Sequence, residues 1–422
     1  MKKIVVKVGN MNDLHLGYHK PLVRHPNERF IFEFAKPRIR CGLLKKKRRA
    51  FNPLDNYFHY EVHQYPAQAK FIHSAFYPVS NKVPWIAEMS DVAVPLIGRS
   101  VWNVDFMNKF HGLFLKDPSY KKAMLKRISL YNTPYCKAIL FWSIAGMVTT
   151  ILRFMYYEIL DTPEVLSFLK KSWVAYPAIK PMVKKVRLQD PRTVLFMARD
   201  FINKGGHIAL RAFELLNKWD PGLELIYCGP IPESHRKQHA RLLSRIKYYP
   251  AVEQQKAFQL LKRSDILLMP TLSENFGMIL LEAQAAGCAP IAYYGEEAAA
   301  IKEIISNGRT GLLVRVPGKI DEQKEARRFF SRAKGLLSDP AKLKALKRSA
   351  LSEIKHGKFS FSKHIRMLDK LFRSPLEADL PVPESGQERE IAVYGADQYQ
   401  DLMNIYRKQH NIPNRIYIKF AS

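Results

Sequence analysis

The segment SENFGMILLEAQAAG (Ser273–Gly287) places two glutamates eight residues apart, on either side of a Phe-Gly pair. The run before it, DILLMP (Asp265–Pro270), is apolar and bounded by Asp and Pro, which is typical of a short buried strand. Gly277–Ala286 consists of strong helix formers, and Gly287 occupies the position of a C-terminal cap. The apolar run APIAYY (Ala289–Tyr294) then predicts the next strand. This order of strand, loop, helix and strand predicts a parallel α/β unit.

The loop ahead of this helix is a candidate ligand site. Parallel α/β sheets bind ligands beyond the carboxyl ends of their strands, so we expect Glu274 in a ligand-facing loop. Gly277 allows a close backbone approach, and the free N–H groups of a first helical turn bind anions. At a rise of about 1.5 Å per residue, Glu282 lies roughly 7 Å further along the axis. Carboxylates flanking an anion site suit a sugar nucleotide, which has hydroxyl groups on both sides of its phosphates.

Two cations are predicted at the same sheet edge. In TVLFMARDFINKGG (Thr193–Gly206), Arg199 comes at the end of a predicted strand. Lys204 follows in a loop that ends in Gly205 and Gly206 before a helix. The edge would therefore combine two positive side chains, a helix N-terminus and two carboxylates.

The pattern along the chain predicts two domains. From about Thr193 onward, strand and helix signals alternate regularly, which favours an open parallel sheet with helices on both faces. The N-terminal half is less regular, but its strand candidates predict a second α/β domain. Ala175–Arg192 contains three prolines and no clear period, as linkers do. The predicted division is an N-terminal domain over 1–185, a C-terminal domain over 190–375 and an extension of unknown role over 376–422.

Charge and cysteine content limit the possible environments. The chain has 68 basic and 38 acidic residues, a net charge of +30, which favours polyanionic surroundings such as nucleic acid, an anionic membrane or a phosphorylated substrate. Its four cysteines show no paired spacing, so neither a disulfide framework nor a structural zinc site is indicated, and a cytoplasmic location is predicted. The longest uncharged stretch, Ala138–Leu152, is shorter than the ~20 residues of a spanning helix. It predicts a buried strand turning into a helix near Ser143.

One basic run has two interpretations. AKPRIRCGLLKKKRRAF (Ala35–Phe51) contains eight basic residues and no acid. It is either a solvated loop or a surface that docks on anionic lipid, where each nearby Lys or Arg contributes ~1 kcal/mol. The second interpretation would place the protein peripherally on the inner face of the membrane.

With these residues in view, the chain resembles glycosyltransferase family 4, the retaining sugar-nucleotide-dependent enzymes of the GT-B fold. The resemblance rests on Glu274 and Glu282 within the Glu-x7-Glu pattern and on Arg199 and Lys204. It covers roughly 193–372 well and the N-terminal half loosely. It implies an α/β architecture in which two Rossmann-like domains face each other across a cleft. The N-terminal domain would bind the acceptor, and the C-terminal domain would bind the nucleotide sugar.

The resemblance also implies residue roles. Arg199 and Lys204 would bind the donor diphosphate, Glu282 the ribose hydroxyls and Glu274 the transferred sugar. The backbone of four residues would cradle the phosphate: Asn275, Phe276, Gly277 and Met278. To these we add His73 as a candidate catalytic contact in the N-terminal half, near a predicted strand end, with Glu88 and Asp91 as further acceptor or sugar contacts.

The implied chemistry is transfer of a hexose from a UDP or GDP type of sugar nucleotide to a glycan or lipid-linked acceptor, with retention. The chain contains no Asp-x-Asp motif, which fits metal-independent chemistry without a cofactor. Two alternatives remain. A nucleic-acid-binding protein is suggested by charge alone and lacks zinc-knuckle or RRM-type motifs. A catalytically silent, transferase-like membrane scaffold stays open because Gly9 and Gly17 stand apart where the family has a Gly-Gly loop.

Overall fold

A computed structural model of the 422-residue chain divides into two compact units. Unit 1 comprises Met1–Pro177 and Ile365–Ser422, and unit 2 comprises Ala178–His364. The structure describes residues 3–9, 16–23, 30–43, 59–90, 118–156, 158–186, 192–295, 298–373, 389–390 and 417–418.

Unit 1 contains a six-stranded parallel sheet of strand order β2-β1-β5-β6-β7-β8. A separate antiparallel pair, β3 with β4, lies outside this sheet. The eight strands are β1 (Ile4–Val8), β2 (Phe30–Phe34), β3 (Arg38–Leu43), β4 (His59–Gln64), β5 (Phe71–Ala75), β6 (Trp85–Met89), β7 (Cys136–Phe141) and β8 (Ser172–Val174). Every residue of the interior strands β5, β6 and β7 is buried. This matches the continuous apolar runs of parallel strands that are covered on both faces.

The helices of unit 1 connect these strands. Among the described residues up to Pro177 they are α1 (Leu16–Val23), α2 (Pro118–Ser129), α3 (Ile144–Tyr156) and α4 (Pro163–Lys170). The predicted turn from strand to helix near Ser143 is confirmed, since the Ser143 hydroxyl accepts a hydrogen bond from the Gly146 N–H at 2.9 Å and caps α3. Among the residues that the structure describes, no helix has the length and apolar character needed to span a membrane.

Unit 2 contains a second six-stranded parallel sheet, of strand order β11-β10-β9-β12-β13-β14. Its strands are β9 (Thr193–Met197), β10 (Glu224–Cys228), β11 (Lys247–Tyr249), β12 (Ile266–Met269), β13 (Ala289–Tyr294) and β14 (Leu312–Arg315). The apolar runs VLFMA, LELIYC, DILLMP, APIAYY and GLLV predict five of these six strands, and no such run predicts β11. The predicted alternation of strand and helix in this half is therefore confirmed.

The helices of unit 2 follow the sequence pattern with two exceptions, one over residues 234–246 and one over EEAAAIKEIISN (residues 296–307), where the described helix covers only Ile301–Ile304. They are α5 (Gly206–Trp219), α6 (Glu233–Gln238), α7 (Ala240–Leu243), α8 (Gln254–Arg263), α9 (Met278–Ala286), α10 (Ile301–Ile304), α11 (Glu322–Leu337) and α12 (Pro340–His356). The segment SHRKQHARLLSRI (residues 234–246) predicts a single helix, and this prediction is wrong because the segment is divided between α6 and α7. His239 leaves helical geometry at φ −104° and ψ 19°, and its buried ring contacts the Glu214 carboxylate on α5 at 2.7 Å. This tertiary contact overrides the local helix preference.

A buried ion pair aligns the two strands that lead to the candidate site. Asp265, directly before β12, accepts hydrogen bonds from the backbone N–H groups of Arg192 at 3.0 Å and Thr193 at 3.2 Å, at the start of β9. Lys347 on α12 lies 2.9 Å from the same carboxylate, and both side chains are buried. Because the starts of β9 and β12 are joined in this way, the loops at their carboxyl ends leave the sheet at matching positions.

The last helix, α13 (Phe361–Arg373), contributes to unit 1 from Ile365 onward. Its Phe372 ring lies 4.4 Å from the ring of Phe71 on β5, measured between centroids. The buried Lys137 donates to the Leu371 carbonyl at 3.1 Å. Of the predicted C-terminal extension, the structure describes only β15 (Arg389–Glu390) and β16 (Tyr417–Ile418), which pair antiparallel.

Candidate active site

The candidate site of unit 2 lies where β9 and β12 end. These strands are parallel neighbours, with Phe196 paired to Leu268. The chain leaves both strands at the same edge of the sheet, which is where open α/β sheets bind ligands. Arg199 follows two residues after the end of β9, and Glu274 lies in the loop after β12. The predicted convergence of the two segments on one edge is therefore present in the fold.

The two loops are joined by backbone contacts. The Asn203 carbonyl accepts a hydrogen bond from the Leu272 N–H at 2.8 Å. Gly205 has a φ of +69°, and a Cβ atom at this position would lie 2.0 Å from the Pro270 carbonyl oxygen. Only glycine allows so close an approach in the left-handed region. The loop that carries Lys204 is thus held directly against the loop that carries Glu274.

Lys204 bridges the two loops with its side chain. Its Nζ donates to the Ser273 carbonyl at 2.5 Å and to the Glu274 carboxylate at 3.0 Å. The two side chains keep 26% and 18% of their surfaces exposed, so an incoming ligand can reach both. The pair combines a cation that can bind phosphate with a carboxylate that can accept hydrogen bonds from sugar hydroxyls.

The N-terminus of α9 supplies backbone donors at the same edge. Gly277 begins the helix with a φ of +101°, and among the residues that the structure describes no side chain caps the first turn. The neighbouring Phe276 and Met278 are buried, while Asn275 is half-buried. The uncapped N–H groups and the helix dipole together favour an anion at this end.

Glu282 lies on α9, and Arg199 acts on it electrostatically. The Glu282 side chain is buried, with 7% of the residue exposed. Burial raises the pKa of Glu282 to about 8, while the charge of Arg199 opposes that rise. Arg199 itself is exposed at the end of β9. Glu282, which was predicted to bind ribose, and Arg199, which was predicted to bind phosphate, are therefore electrostatically coupled.

A separate cluster in unit 1 contains His73. Its Nε2 lies 2.9 Å from Oε1 of Glu88, and Oε2 of Glu88 is hydrogen-bonded to Nε2 of His19 on α1 at 2.9 Å. All three residues are at most 1% exposed. Burial alone would raise the pKa of Glu88, but the charge of His73 and the hydrogen bond from His19 hold it well below its usual range.

The predicted site residues thus fall into two groups. In unit 2 the fold gathers the loop residues and the start of α9: Arg199, Lys204, Glu274, Asn275, Phe276, Gly277, Met278 and Glu282. His73 and Glu88 belong to unit 1, and Asp91 lies outside the described residues. The residues that sequence reasoning missed are Asn203, which acts through its backbone carbonyl, and His19, whose contact with Glu88 spans 69 residues.

The two-unit architecture is shared with solved glycosyltransferase structures. WaaG, a glycosyltransferase involved in lipopolysaccharide biosynthesis, superposes with a TM-score of 0.52 at 13% identity, covering 88% of this chain and 100% of that one. HepE from Anabaena, solved in complex with UDP-glucose, gives a TM-score of 0.51 at 13% identity, over 87% of this chain and 98% of that one. At such low identity these likenesses show the fold alone. They confirm the predicted GT-B fold class.

The sequence of unit 2 matches a known family. Residues 180–349 match the family described as glycosyl transferases group 1. The predicted resemblance is confirmed at this level.

Named relatives match part of the chain. A D-inositol 3-phosphate glycosyltransferase from Paenarthrobacter aurescens is 30% identical over 133 residues, which is 30% of this chain and 32% of the relative. A phosphatidyl-myo-inositol mannosyltransferase from Mycolicibacterium smegmatis is 30% identical over 131 residues, which is 30% of this chain and 33% of the relative. The chain therefore matches about a third of the length of these relatives.

Proposed function

We propose that this protein is a glycosyltransferase that moves a hexose from a nucleoside diphosphate sugar to a glycan or lipid-linked acceptor. The observation that carries the proposal is the Lys204–Glu274 pair, 3.0 Å apart at the uncapped N-terminus of α9. At this sheet edge Lys204 would bind phosphate together with the backbone donors, and Glu274 would bind the sugar. The family match of residues 180–349 supports the same reaction class.

The cations and the helix N-terminus would stabilise the leaving group. Departure of a nucleoside diphosphate builds negative charge on the bridging oxygen, and fixed donors aimed at that oxygen lower the barrier. Lys204 and Arg199 would supply the positive charge, and the backbone from Asn275 to Met278 would supply N–H groups. Because side chains provide this charge, the proposed reaction at this edge requires no metal ion and no cofactor.

The two carboxylates would orient the donor. Glu282 would accept hydrogen bonds from the ribose hydroxyls, and Glu274 would contact the transferred sugar. In the proposed mechanism the acceptor attacks from the face that the phosphate leaves, so the anomeric configuration is retained. The leaving phosphate oxygen takes the acceptor proton, and no separate protein base is needed. A contact of His73 with the acceptor or sugar stays a prediction.

We also propose an anionic membrane surface as a partner on the cytoplasmic side. The described part of the basic run, residues 35–43, includes strand β3, where Arg38, Ile39 and Arg40 are exposed, and the run from Leu44 onward lies outside the described residues. A lipid-linked acceptor would explain why basic and apolar side chains occur together. The names of the inositol phosphate and phosphatidylinositol relatives favour a phosphorylated acceptor of this kind.

Vesicle co-sedimentation tests the membrane partner. The wild-type protein should pellet with vesicles that contain phosphatidylserine and stay in solution with neutral phosphatidylcholine vesicles. Charge reversal of Arg38 and Arg40 to glutamate should weaken binding by roughly 30-fold or more, since each nearby basic residue contributes ~1 kcal/mol. Reversal of Arg327 and Arg332 on α11 in unit 2 provides a charge-matched control. If both double variants bind the vesicles equally, β3 does not contact the membrane.

A melting-temperature screen with nucleotides tests the proposed function. UDP, GDP, ADP and their sugars are added one by one, and a selective ligand at 100 times its dissociation constant should stabilise the protein by ~2.7 kcal/mol. We expect one uracil or guanine nucleotide to raise the melting temperature more than the others. If no nucleotide shifts the melting temperature and the protein binds RNA tightly in a salt-sensitive way, the nucleic-acid-binding alternative is favoured instead.

Donor binding should depend on pH through Glu282. With a pKa of about 8 in the free protein, this carboxyl is mostly protonated at pH 7, whereas ribose hydroxyls donate best to its ionised form. Binding should therefore release a proton, and donor affinity should rise about 10-fold between pH 7 and pH 9, levelling off above the free-state pKa. Calorimetric titration in buffers of different ionisation enthalpy measures the proton release. The Glu282→Gln variant should bind weakly and without this pH dependence, and an equal pH dependence in that variant would exclude Glu282 as the titrating group.

A further inference from the structure

We propose that His19, His73 and Glu88 form a binding site in unit 1 for a divalent transition-metal ion of the zinc type. The ligand atoms of the three residues all lie within 4.8 Å of one another. Two imidazoles and one carboxylate are a ligand set that such ions prefer. The proposal concerns unit 1 alone, and it does not depend on the sugar-nucleotide function proposed for unit 2.

The spacing of the ligand atoms is close to that of a coordinated ion. Each carboxylate oxygen of Glu88 lies 2.9 Å from one imidazole Nε2, of His19 on one side and of His73 on the other. Zinc binds nitrogen at about 2.0–2.1 Å and oxygen at about 2.0–2.2 Å, so two ligands in tetrahedral geometry are separated by roughly 3.4 Å. Opening each of these two separations by about 0.5 Å would bring them to this geometry.

The contact of His73 favours an ion over a simple hydrogen bond. Its Nε2 is 2.9 Å from the Glu88 carboxylate, yet within the described part of the chain neither ring nitrogen of His73 has a partner in hydrogen-bond geometry. The ring is 1% exposed, so bulk water does not solvate these nitrogens. A buried polar atom without a partner is costly, and a cation bound at Nε2 of His73 would give this nitrogen a partner.

The three ligands are held by separate elements of regular structure. His73 lies in β5 and Glu88 in β6, which are adjacent strands with Ala75 paired to Glu88. His19 lies on α1, an eight-residue helix that contains Pro21 and therefore lacks one backbone donor. A bound ion would cross-link this weak helix to the central sheet, so binding should stabilise the fold of unit 1.

A competing metal site has to be separated in the experiment. In unit 2, the half-buried His235 and the buried His239 are four residues apart with rings stacked at 6.2 Å between centroids, and two histidines at this spacing can bind zinc. The His235→Gln variant removes that pair without touching unit 1. It therefore serves as the matched control for His19→Gln, which removes a proposed ligand that has no assigned role in sugar transfer.

The test is metal titration of the full chain after chelator treatment, with Zn²⁺ measured by elemental analysis and Co²⁺ by its visible absorption. Wild type and His235→Gln should each bind one equivalent of Zn²⁺ tightly and show the absorption bands of cobalt held by nitrogen and oxygen. His19→Gln should lose at least ~100-fold in affinity, more than the ~10–100-fold typical of an outer-shell partner. Mg²⁺ and Ca²⁺ should not compete, because they prefer oxygen ligands.

A second variant keeps the proposal testable if His19→Gln fails to fold. His19→Cys replaces the imidazole with a thiolate, which still binds the ion and should add a thiolate-to-cobalt charge-transfer band. The proposal is overturned if wild type takes up neither Zn²⁺ nor Co²⁺. It is equally overturned if uptake is lost in His235→Gln but kept in His19→Gln, or if Co²⁺ produces no thiolate band in His19→Cys.

Discussion

Replacing Lys204 with methionine is expected to lower donor turnover by about 10²- to 10³-fold, the usual cost of removing one group that stabilises transition-state charge. Methionine keeps the unbranched aliphatic stem but removes the ammonium that bonds to Ser273 and Glu274. Release of the nucleoside diphosphate from the donor sugar, measured with the nucleotide that raises the melting temperature most, reports the change. Because the charge is needed mainly as the diphosphate departs, kcat should fall more than donor affinity.

Lys218→Met is the matched control for this variant. Lys218 lies in the last turn of α5, the same helix whose first turn follows Lys204, and its side chain is exposed. Its turnover should equal that of the wild type within a factor of about 2, in line with the small effects of exposed substitutions. Equal turnover in Lys204→Met would show that the Lys204–Glu274 pair is only a structural contact between two loops.

The second large effect concerns Gly205, whose substitution by alanine should destabilise unit 2 by about 3 kcal/mol or more. Its φ of +69° strains any side chain, and a Cβ would come within 2.0 Å of the Pro270 carbonyl oxygen. That oxygen belongs to the backbone at the end of β12, so the clash is relieved only by separating the two loops. For a domain of this size the melting temperature should fall by about 6–12 °C.

Gly308 offers a control with the same backbone conformation. Its φ is +76°, and a Cβ there would meet nothing within 4 Å. Gly308→Ala should therefore cost only the conformational penalty of about 1–2 kcal/mol. Thermal unfolding of both variants, with and without nucleotide, measures the difference. If the two alanine variants have the same melting temperature, close packing at Gly205 does not hold the loops in place.

Much of unit 2 could be predicted because its local signals agree with its fold. The apolar run before Pro270, the helix formers after Gly277 and the run after Gly287 became β12, α9 and β13 with small shifts at their ends. In this part of the chain, helix propensity, apolar patterning and glycine positions all favour one structure. Elements of three residues, such as β8 and β11, have too little pattern to stand out.

The details of the sites were less predictable because they depend on long-range contacts. The burial that raises the pKa of Glu282 comes from packing around α9, and the sequence of that helix gives no measure of it. The contact between Asn203 and Leu272 is made by backbone atoms. Because every residue type except proline has the same backbone groups, the sequence does not indicate this contact. His19 is one of three nearby histidines in the sequence, with His15 and His25, and only the fold brings it to Glu88.

The most direct measurement of the central claim is a crystal structure of the protein with the nucleoside diphosphate that stabilises it most. We expect the diphosphate within hydrogen-bonding distance of Lys204 Nζ and of backbone N–H groups at the start of α9, with the ribose hydroxyls at the Glu282 carboxylate. Electron density for the nucleotide at any other place, with the Lys204–Glu274 pair unchanged and no ligand beside it, would contradict the account.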